Sequence, residues 1–413
     1  MRVVLAHRYF PGHFAHLARA LASDPGNQVI FVHAAGHGEI PGVRRLQIRA
    51  AREGSSATHH YLQPFERAVL LGQAVYRAAA RLSERGFDPD LVYFHAGFGM
   101  GLYLKDAFPS APSLGLFEWY YRSCHSDADF LGPPLSADDR LRIRTLNAGL
   151  LLELDACEVG VCPTSFQKAQ FPEAHQSKLE ALHDGIDTEL LAPRRLREPR
   201  PAVVARVPPE AELITYATRG LEPYRGFPQF MQALVRLQGE RPSLHAAIAG
   251  SPKHFYGGPV PPGHDSWKEA VLAGLPELDL RRVHFLGMLP GEDYRALLRA
   301  SDVHVYLTVP FVLSWSLLEA MAMACPLVAS DTGPVREVVE HGVHGLLADL
   351  REPGAIATQI AALLDDRCRA AQLGRAAARR VRMTYALDVV LPQQLALLRT
   401  VAARRPALIG SQS

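Results

Sequence analysis

The chain has 413 residues, of which 48% are hydrophobic and 21% charged, and its formal net charge is +2. That length predicts two or three domains with sizeable cores, and the composition is that of an ordinary globular protein. A charge so near zero argues against a nucleic-acid binder or a strongly anionic partner.

Five cysteines (Cys124, Cys157, Cys162, Cys325, Cys368) are scattered without a C-x-x-C pair, which predicts reduced thiols rather than a zinc or disulfide framework. The opening MRVVLAHRYF enters a strand pattern at once, with too short an apolar run for a signal peptide. No apolar run approaches the length of a membrane span. A cytoplasmic protein is expected, with peripheral membrane contact left open.

In chain order, Val3–Ala6 reads as a strand, followed by a turn ending in Pro11-Gly12 and an amphipathic helix carrying Phe14, Leu17, Ala18 and Leu21. Strands follow at residues 29–32 and 43–48, then a long helix from about Tyr61 to Glu84. The strand 91–94 ends at His95-Ala96-Gly97, and the strand 113–117 ends at Glu118-Trp119-Tyr120-Tyr121-Arg122. A helix is predicted over 137–157, then a strand at 158–162. Strands alternating with helices imply a parallel sheet with right-handed crossovers.

The stretch 192–209, rich in proline and arginine, is the predicted interdomain linker. Beyond it the alternation restarts with strands at 213–217, 244–249 and 283–286, a helix at 226–237 and a long Gly/Pro loop over 250–263. Residues 301–333 spell a β-α-β unit with a helix starting near Ser314 and a second strand over 326–330. The tail from Pro353 reads as helical, with Pro392 expected to kink or restart it.

In open parallel sheets, ligands bind beyond the carboxyl ends of the strands, where helix N-termini offer free N–H groups. Four places qualify. Gly12 closes the first turn, although without a full G-x-G-x-x-G a lone turn glycine is a sufficient account of it. His95 ends a strand beside glycines that leave room for a ligand. Arg219 and Arg225 bracket a Gly/Pro turn and suit a diphosphate, which guanidinium groups bind through paired donors. Ser314, Trp315, Ser316 and Glu319 open a helix, where Ser316-Leu-Leu-Glu319 equally fits a capping box. The D-x-D pairs Asp88/Asp90 and Asp127/Asp129 read as turn residues, so no metal site is expected. No G-x-S-x-G, H-E-x-x-H or P-loop pattern is present.

Taken together, Arg219…Tyr224-Arg225-Gly226-Phe227, Val283-His284-Phe285-Leu286-Gly287 and Leu317-Leu318-Glu319-Ala320-Met321-Ala322 resemble ordered signatures of the family-4 retaining glycosyltransferases. Residues 326–333 and 342–347 continue the likeness, and His183-Asp184-Gly185-Ile186-Asp187 resembles the family's turn before the linker. The likeness is nearest to a bacterial branch with F-P-G, E-P-Y-R-G and P-F-V-L-S-W-S-L-L-E segments.

The resemblance implies a GT-B fold: two Rossmann-like parallel-sheet domains facing across a cleft, an N-terminal one over 1–195 and a donor-binding one over 196–383. A last helix over 384–413 would cross back to the first domain. It implies retaining, metal-independent transfer from a nucleotide-diphospho-sugar (UDP- or GDP-linked), with no cofactor, to an acceptor it does not specify. Arg219 and Arg225 would grip the diphosphate, Glu319 the ribose, and the backbone of Leu286, Gly287 and Met288 the base. Leu313 to Ser316 would offer N–H groups to the distal phosphate, Gly12 would close on the phosphates, and His95 would touch the transferred sugar. Glu118, Tyr120, Tyr121 and Arg122 are the acceptor-side candidates. One departure stands out: Phe311 occupies the place of the first Glu of the family's E-x7-E pair, a carboxylate that contacts the donor sugar. That departure keeps two alternatives open, a nucleotide-sugar 2-epimerase-like enzyme and a donor-binding subunit that has lost catalysis.

Overall fold

The computed structural model describes residues 1–193 and 201–405. Its contacts fall into two units: Met1–Ser123 with Leu135–Gly185 and Leu387–Ser413, and Cys124–Pro134 with Ile186–Ala386. Of the expected linker, residues 194–200 lie outside the described residues. The part that follows is packed: Val204 and Val207 are buried with Leu213 and Ala217 in the core of the second unit.

The first unit is built on a seven-stranded sheet in which every pairing is parallel. Its spatial order is Val43–Gln47, Gln28–His33, Arg2–Ala6, Leu91–His95, Ser113–Leu116, Val159–Cys162 and Leu179–Ala181. The central strands are almost unbroken apolar runs because both faces are covered. Side chains alternate between the faces. Val4 and Ala6 join Val75, Ala79 and Leu82 of the helix Gln63–Glu84. Val3 and Leu5 join Leu17 and Leu21 of the helix Ala15–Ala22, together with Leu398 and Val401. Those last two lie on the helix Leu387–Ala402, so the end of the chain completes the core of its beginning.

The second unit repeats the plan with six parallel strands: Val283–Gly287, Leu244–Ser251, Glu212–Gly220, Val303–Tyr306, Leu327–Ser330 and Leu346–Ala348. In both sheets the first strand in sequence lies inside, later strands add on one side and then the other, and the direction of winding reverses beside it. Such a reversal opens a crevice at the carboxyl ends, the switch point of doubly wound folds.

Two sequence expectations change in detail. The helix over 137–157 is two, Ala137–Leu146 and Ala148–Ala156, divided at Asn147. The Asn147 side chain accepts from the Tyr121 N–H (2.9 Å) and donates to the Tyr121 carbonyl (2.8 Å), trading helix continuity for a tie to the loop after Ser113–Leu116. Pro392 does not restart the last helix, which runs through it from Leu387 to Ala402.

Gly226 shows how tightly the second unit is drawn around its first turn. It stands between the short 3-10 turn Pro223–Arg225 and the helix Phe227–Glu240 with φ +68°, and a Cβ there would lie 2.5 Å from Leu307 Cβ. Left-handed backbone and missing space both demand glycine. Gly226→Ala is expected to cost on the order of 2 kcal/mol or more in a denaturant titration, where an unchanged midpoint would contradict this packing.

Candidate active site

In the second unit the switch point lies between Glu212–Gly220 and Val303–Tyr306. Arg225 enters it from one side and is buried, with 8% of its surface exposed. Its Nη1 donates to Thr308 Oγ1 (3.0 Å) and the Val312 carbonyl (3.3 Å), both on the loop that follows the neighbouring strand. The guanidinium lies 5.5 Å from the Tyr256 ring centre and 5.8 Å from that of Phe311. Arg219 is exposed, stacked at 4.3 Å over Phe255, with Nη1 3.5 Å from the Tyr256 hydroxyl. The two arginines singled out by the sequence therefore converge on one residue, Tyr256, which the sequence reading passed over.

Phe255 and Tyr256 belong to the Gly/Pro loop after Leu244–Ser251. Fully buried Glu222 pins that loop, since its Oε2 accepts from the Phe255 N–H (2.6 Å) and the Tyr256 N–H (3.1 Å). Nothing about a glutamate before a proline signals this role in the sequence; the fold alone brings the loop to it.

Phe311 is buried in the same cage, at 5.6 Å from Tyr224 and 5.3 Å from Tyr256. A carboxylate at this position would face the Arg225 guanidinium and neutralise it. The aromatic ring instead leaves the cation its charge while screening it from water, as cation–π contacts do.

The helix Trp315–Ala322 is capped by Ser314, whose side chain accepts from the Ser316 N–H (3.4 Å). The helix thus starts at Ser314 as expected, and Ser316, which equally fitted a capping box, lies inside its first turn and is not the cap. Ser314 N–H is already engaged by the Tyr306 hydroxyl (3.0 Å), and Leu313 is buried in the core. Glu319 is half-buried; burial raises its carboxyl, with Tyr294 and Arg295 opposing the shift. Leu286 packs in the core at the end of Val283–Gly287, Gly287 takes φ +68°, and Met288 is 63% exposed.

In the first unit the switch point lies between Arg2–Ala6 and Leu91–His95. His7 follows the first of these strands and His95 ends the second, and their rings meet at 4.5 Å. His13 stacks on His95 at 5.1 Å. His95 Nε2 lies 2.9 Å from Glu118 Oε2, His13 Nε2 lies 3.1 Å from Glu118 Oε1, and His7 Nε2 lies 3.1 Å from His13 Nδ1. Gly12 makes room for this array: it has φ +50°, and a Cβ on it would lie 2.3 Å from the His7 ring.

Burial works against charge on His13, yet the Glu118 and Asp184 carboxylates outweigh it and raise the ring to about 9. Burial would raise Glu118 as well, but His13 and His95 hold it well below the usual carboxylate range. Burial, followed by the two neighbouring rings, pushes His7 well down. At neutral pH the array is thus a neutral His7, a protonated His13 and an ionised Glu118. Protonated His13 donates to Glu118 and to His7 Nε2, while His7 Nδ1 lies 2.7 Å from the Tyr9 carbonyl and 2.9 Å from the Tyr9 N–H. His95 donates its Nε2 proton to Glu118, and its Nδ1 is buried with no hydrogen-bond partner among the described residues.

The ring nitrogens of His7, His13 and His95 lie within 4.8 Å of one another, a spacing that a metal ion could use. A metal ion there would have to displace the His13 proton that the Glu118 and Asp184 carboxylates stabilise.

Behind it, fully buried Glu153 accepts from the N–H groups of Gly97 (2.6 Å) and Gly101 (2.8 Å), fixing the loop after His95. Burial raises this carboxyl to about 7. Of the remaining acceptor-side candidates, Tyr120 packs on Phe171 in the core, whereas Tyr121 and Arg122 are exposed. Asp88 and Asp90 pair with Arg2 and Arg405 away from these sites. The second D-x-D is more than a turn: Asp129 accepts from the N–H groups of His125 and Ser126, while buried Asp127 accepts from the hydroxyl of Tyr224 (2.8 Å), the ring that packs on Phe311.

Residues 25–191 match the family model described as glycosyl transferase family 4 group, and residues 211–366 match glycosyl transferases group 1. The chain belongs to the glycosyltransferases. Its two units have the GT-B fold, as do solved structures of similar architecture. One is a sucrose-phosphate synthase from Thermosynechococcus elongatus, with TM-score 0.72, 18% identity, and 98% of this chain and 100% of that one covered. Another is Anabaena HepE in complex with UDP-glucose, with TM-score 0.69, 18% identity, and 97% and 100% covered.

Among sequence relatives, a D-inositol 3-phosphate glycosyltransferase of Salinispora tropica is 28% identical over 218 residues, 51% of this chain and 44% of that protein. A glycogen synthase of Mycobacterium tuberculosis is 25% identical over 322 residues, 76% and 70% of the two chains. The matched segment spans somewhat under half the length of the inositol-phosphate relatives. No helix among the described residues is long and apolar enough to cross a membrane.

The raised folded-state value of His13 means that its pairing stabilises the protein fully below about pH 6.5, and that this stability is lost as pH rises through about 9. Glu118→Gln is expected to bring the His13 titration, followed by NMR, down from about 9 and to flatten that alkaline loss. A titration still near 9 in the variant would remove Glu118 as its cause.

Proposed function

We propose that the chain transfers a sugar from a nucleotide-diphospho-sugar, UDP- or GDP-linked, to an acceptor, with retention of anomeric configuration and without a metal. The observation that carries this reading is the convergence of Arg219 and Arg225 on Tyr256 at the switch point of the second unit, beside a helix start. Two fixed cations, one of them buried, suit a diphosphate whose charge grows as the bond to the sugar breaks. Pre-organised charge of this kind is usually the largest catalytic term, and it supplies here what a divalent ion would otherwise supply. Buried Arg225 is the stronger contributor, because low dielectric magnifies its field and its hydrogen bonds to Thr308 and Val312 prevent it from swinging away.

Glu319, on the first turns of the helix Trp315–Ala322, is the proposed ribose acceptor, and the Leu286–Met288 backbone the proposed base contact. In the first unit, the unpartnered His95 Nδ1 is the atom proposed to accept a hydrogen bond from the transferred sugar, held in that tautomer by Glu118. The donor class is supported by a structural neighbour solved with UDP-glucose, and retention by the family resemblance. Phe311 sharpens the proposal: the sugar would be held without the family's first carboxylate, against an aromatic wall.

Arg225→Ala is expected to lower kcat/KM by about 2 kcal/mol or more in transition-state stabilisation, roughly thirtyfold, while Phe311→Glu should weaken donor binding by pairing with Arg225. A panel of nucleotide-sugars screened by thermal shift identifies the donor, since a ligand bound only to the folded state raises its apparent stability. Full turnover in Arg225→Ala, or no shift with any nucleotide-sugar, would overturn the assignment.

A further inference from the structure

A second concentration of positive charge lies away from both switch points. The outermost strand of the first sheet, Val43–Gln47, and the helix Gln63–Glu84 enclose a recess of about 310 Å³. Arg44 and Arg49 border it from the strand side, and Arg77, Arg81 and Arg85 from the helix side. Its floor is aliphatic, formed by Leu46, Ile48 and Leu82 among others. No carboxylate lines it, and none of the five guanidinium groups forms an ion pair among the described residues.

Ordinary helix chemistry explains part of this. Arginines in the last turn of a helix interact favourably with its dipole, which accounts for Arg81 and Arg85. It does not account for Arg44 and Arg49, which come from a different element and are brought to the same recess by the fold. Residues 77, 81 and 85 are also spaced to lie on one helix face, where like charges repel unless something neutralises them. In a chain whose net charge is only +2, five unpaired arginines around one recess form a local field that the sequence as a whole does not carry.

We infer that this recess binds a phosphate-bearing group, with guanidinium pairs engaging the oxygens and the aliphatic floor taking an adjoining apolar portion. Guanidinium groups stay charged at every physiological pH, match phosphate oxygens in paired geometry, and lay their methylene stems along apolar surface. A volume of this size suits one small ligand or headgroup. The phosphate has two possible sources, a free phosphorylated molecule or the headgroup of an anionic lipid.

The test keeps the full chain and uses two probes: pyrophosphate by calorimetry, and vesicles of phosphatidylcholine with or without phosphatidylglycerol by co-sedimentation. Pyrophosphate is titrated in the Arg225→Ala background, so that the proposed donor site does not contribute. The variant pair Arg77→Ala/Arg81→Ala is compared with Arg375→Ala/Arg379→Ala, exposed arginines of the helix Arg367–Thr384 in the second unit that remove the same charge. Affinity for at least one probe is expected to fall about tenfold or more in the first pair and to hold in the second, with binding weakened by salt. Loss confined to pyrophosphate identifies a free phosphate ligand, and loss confined to phosphatidylglycerol vesicles identifies a lipid headgroup. Binding of neither probe, or equal loss in both variant pairs, overturns the inference. Circular dichroism and thermal midpoints of the exposed-site variants show whether each remains folded.

Discussion

All strands in each of the two main sheets run the same way, and this one constraint decides where chemistry can occur. A parallel strand cannot return directly to its neighbour; the chain must cross over the sheet face, usually through a helix. Every strand therefore ends at the same edge, and the loops that leave that edge collect there. Where the winding reverses, two adjacent loops diverge to opposite faces and leave a gap. In the first unit that gap is bordered by His7 and His95, and in the second by the turn bearing Arg225 and the loop bearing Thr308 and Phe311. Neither grouping is encoded by proximity in sequence: Arg225 and Thr308 are separated by 83 positions.

The two gaps handle charge differently. In the second unit a permanent cation is caged by aromatic rings and neutral oxygens, so its charge is not cancelled. In the first unit charge is created by coupling: a histidine that burial would discharge stays protonated because a carboxylate is beside it, and the carboxylate stays ionised because of that histidine. The first arrangement is insensitive to pH and the second depends on it. Glu153 adds a third case, a buried carboxyl held by two backbone N–H groups with no cation, which burial raises to about 7.

Much of this was legible in the sequence, for reasons that can be named. Buried parallel strands appear as unbroken apolar runs, so the alternation of strands and helices could be read directly. Arg219, Arg225, His95 and Gly12 were found because each lies within a few residues of a strand end. The misses share a different cause. His7 and His13 gain meaning only beside His95 and Glu118, and Tyr256 only beside two arginines that approach it from another strand. Three-residue strands such as Leu179–Ala181 and Leu346–Ala348 are too short to show a period. Asn147 breaks a helix whose apolar spacing continues across it, because its side chain satisfies a distant backbone. The helix start near Ser314 was legible, but whether Ser316 forms a capping box with Glu319 was not, and the hydrogen bond from the Ser316 N–H to the Ser314 side chain makes Ser314 the cap.

The first unit is discontinuous in sequence. The helix Leu387–Ala402 supplies Leu398 and Val401 to a core otherwise formed by residues of the first half, and Arg405 reaches Asp88 and Asp90 at the start of Leu91–His95. On the ribosome, the first 185 residues emerge long before that helix exists. Until then one face of the sheet, with Val3, Leu5, Leu21 and Leu116, lacks part of its cover, while all of Ile186–Ala386 is still to be made. The second unit, nearly continuous in sequence, can complete its own core first. The order of assembly thus inverts the order of synthesis: the half that is made first is the half that is finished last.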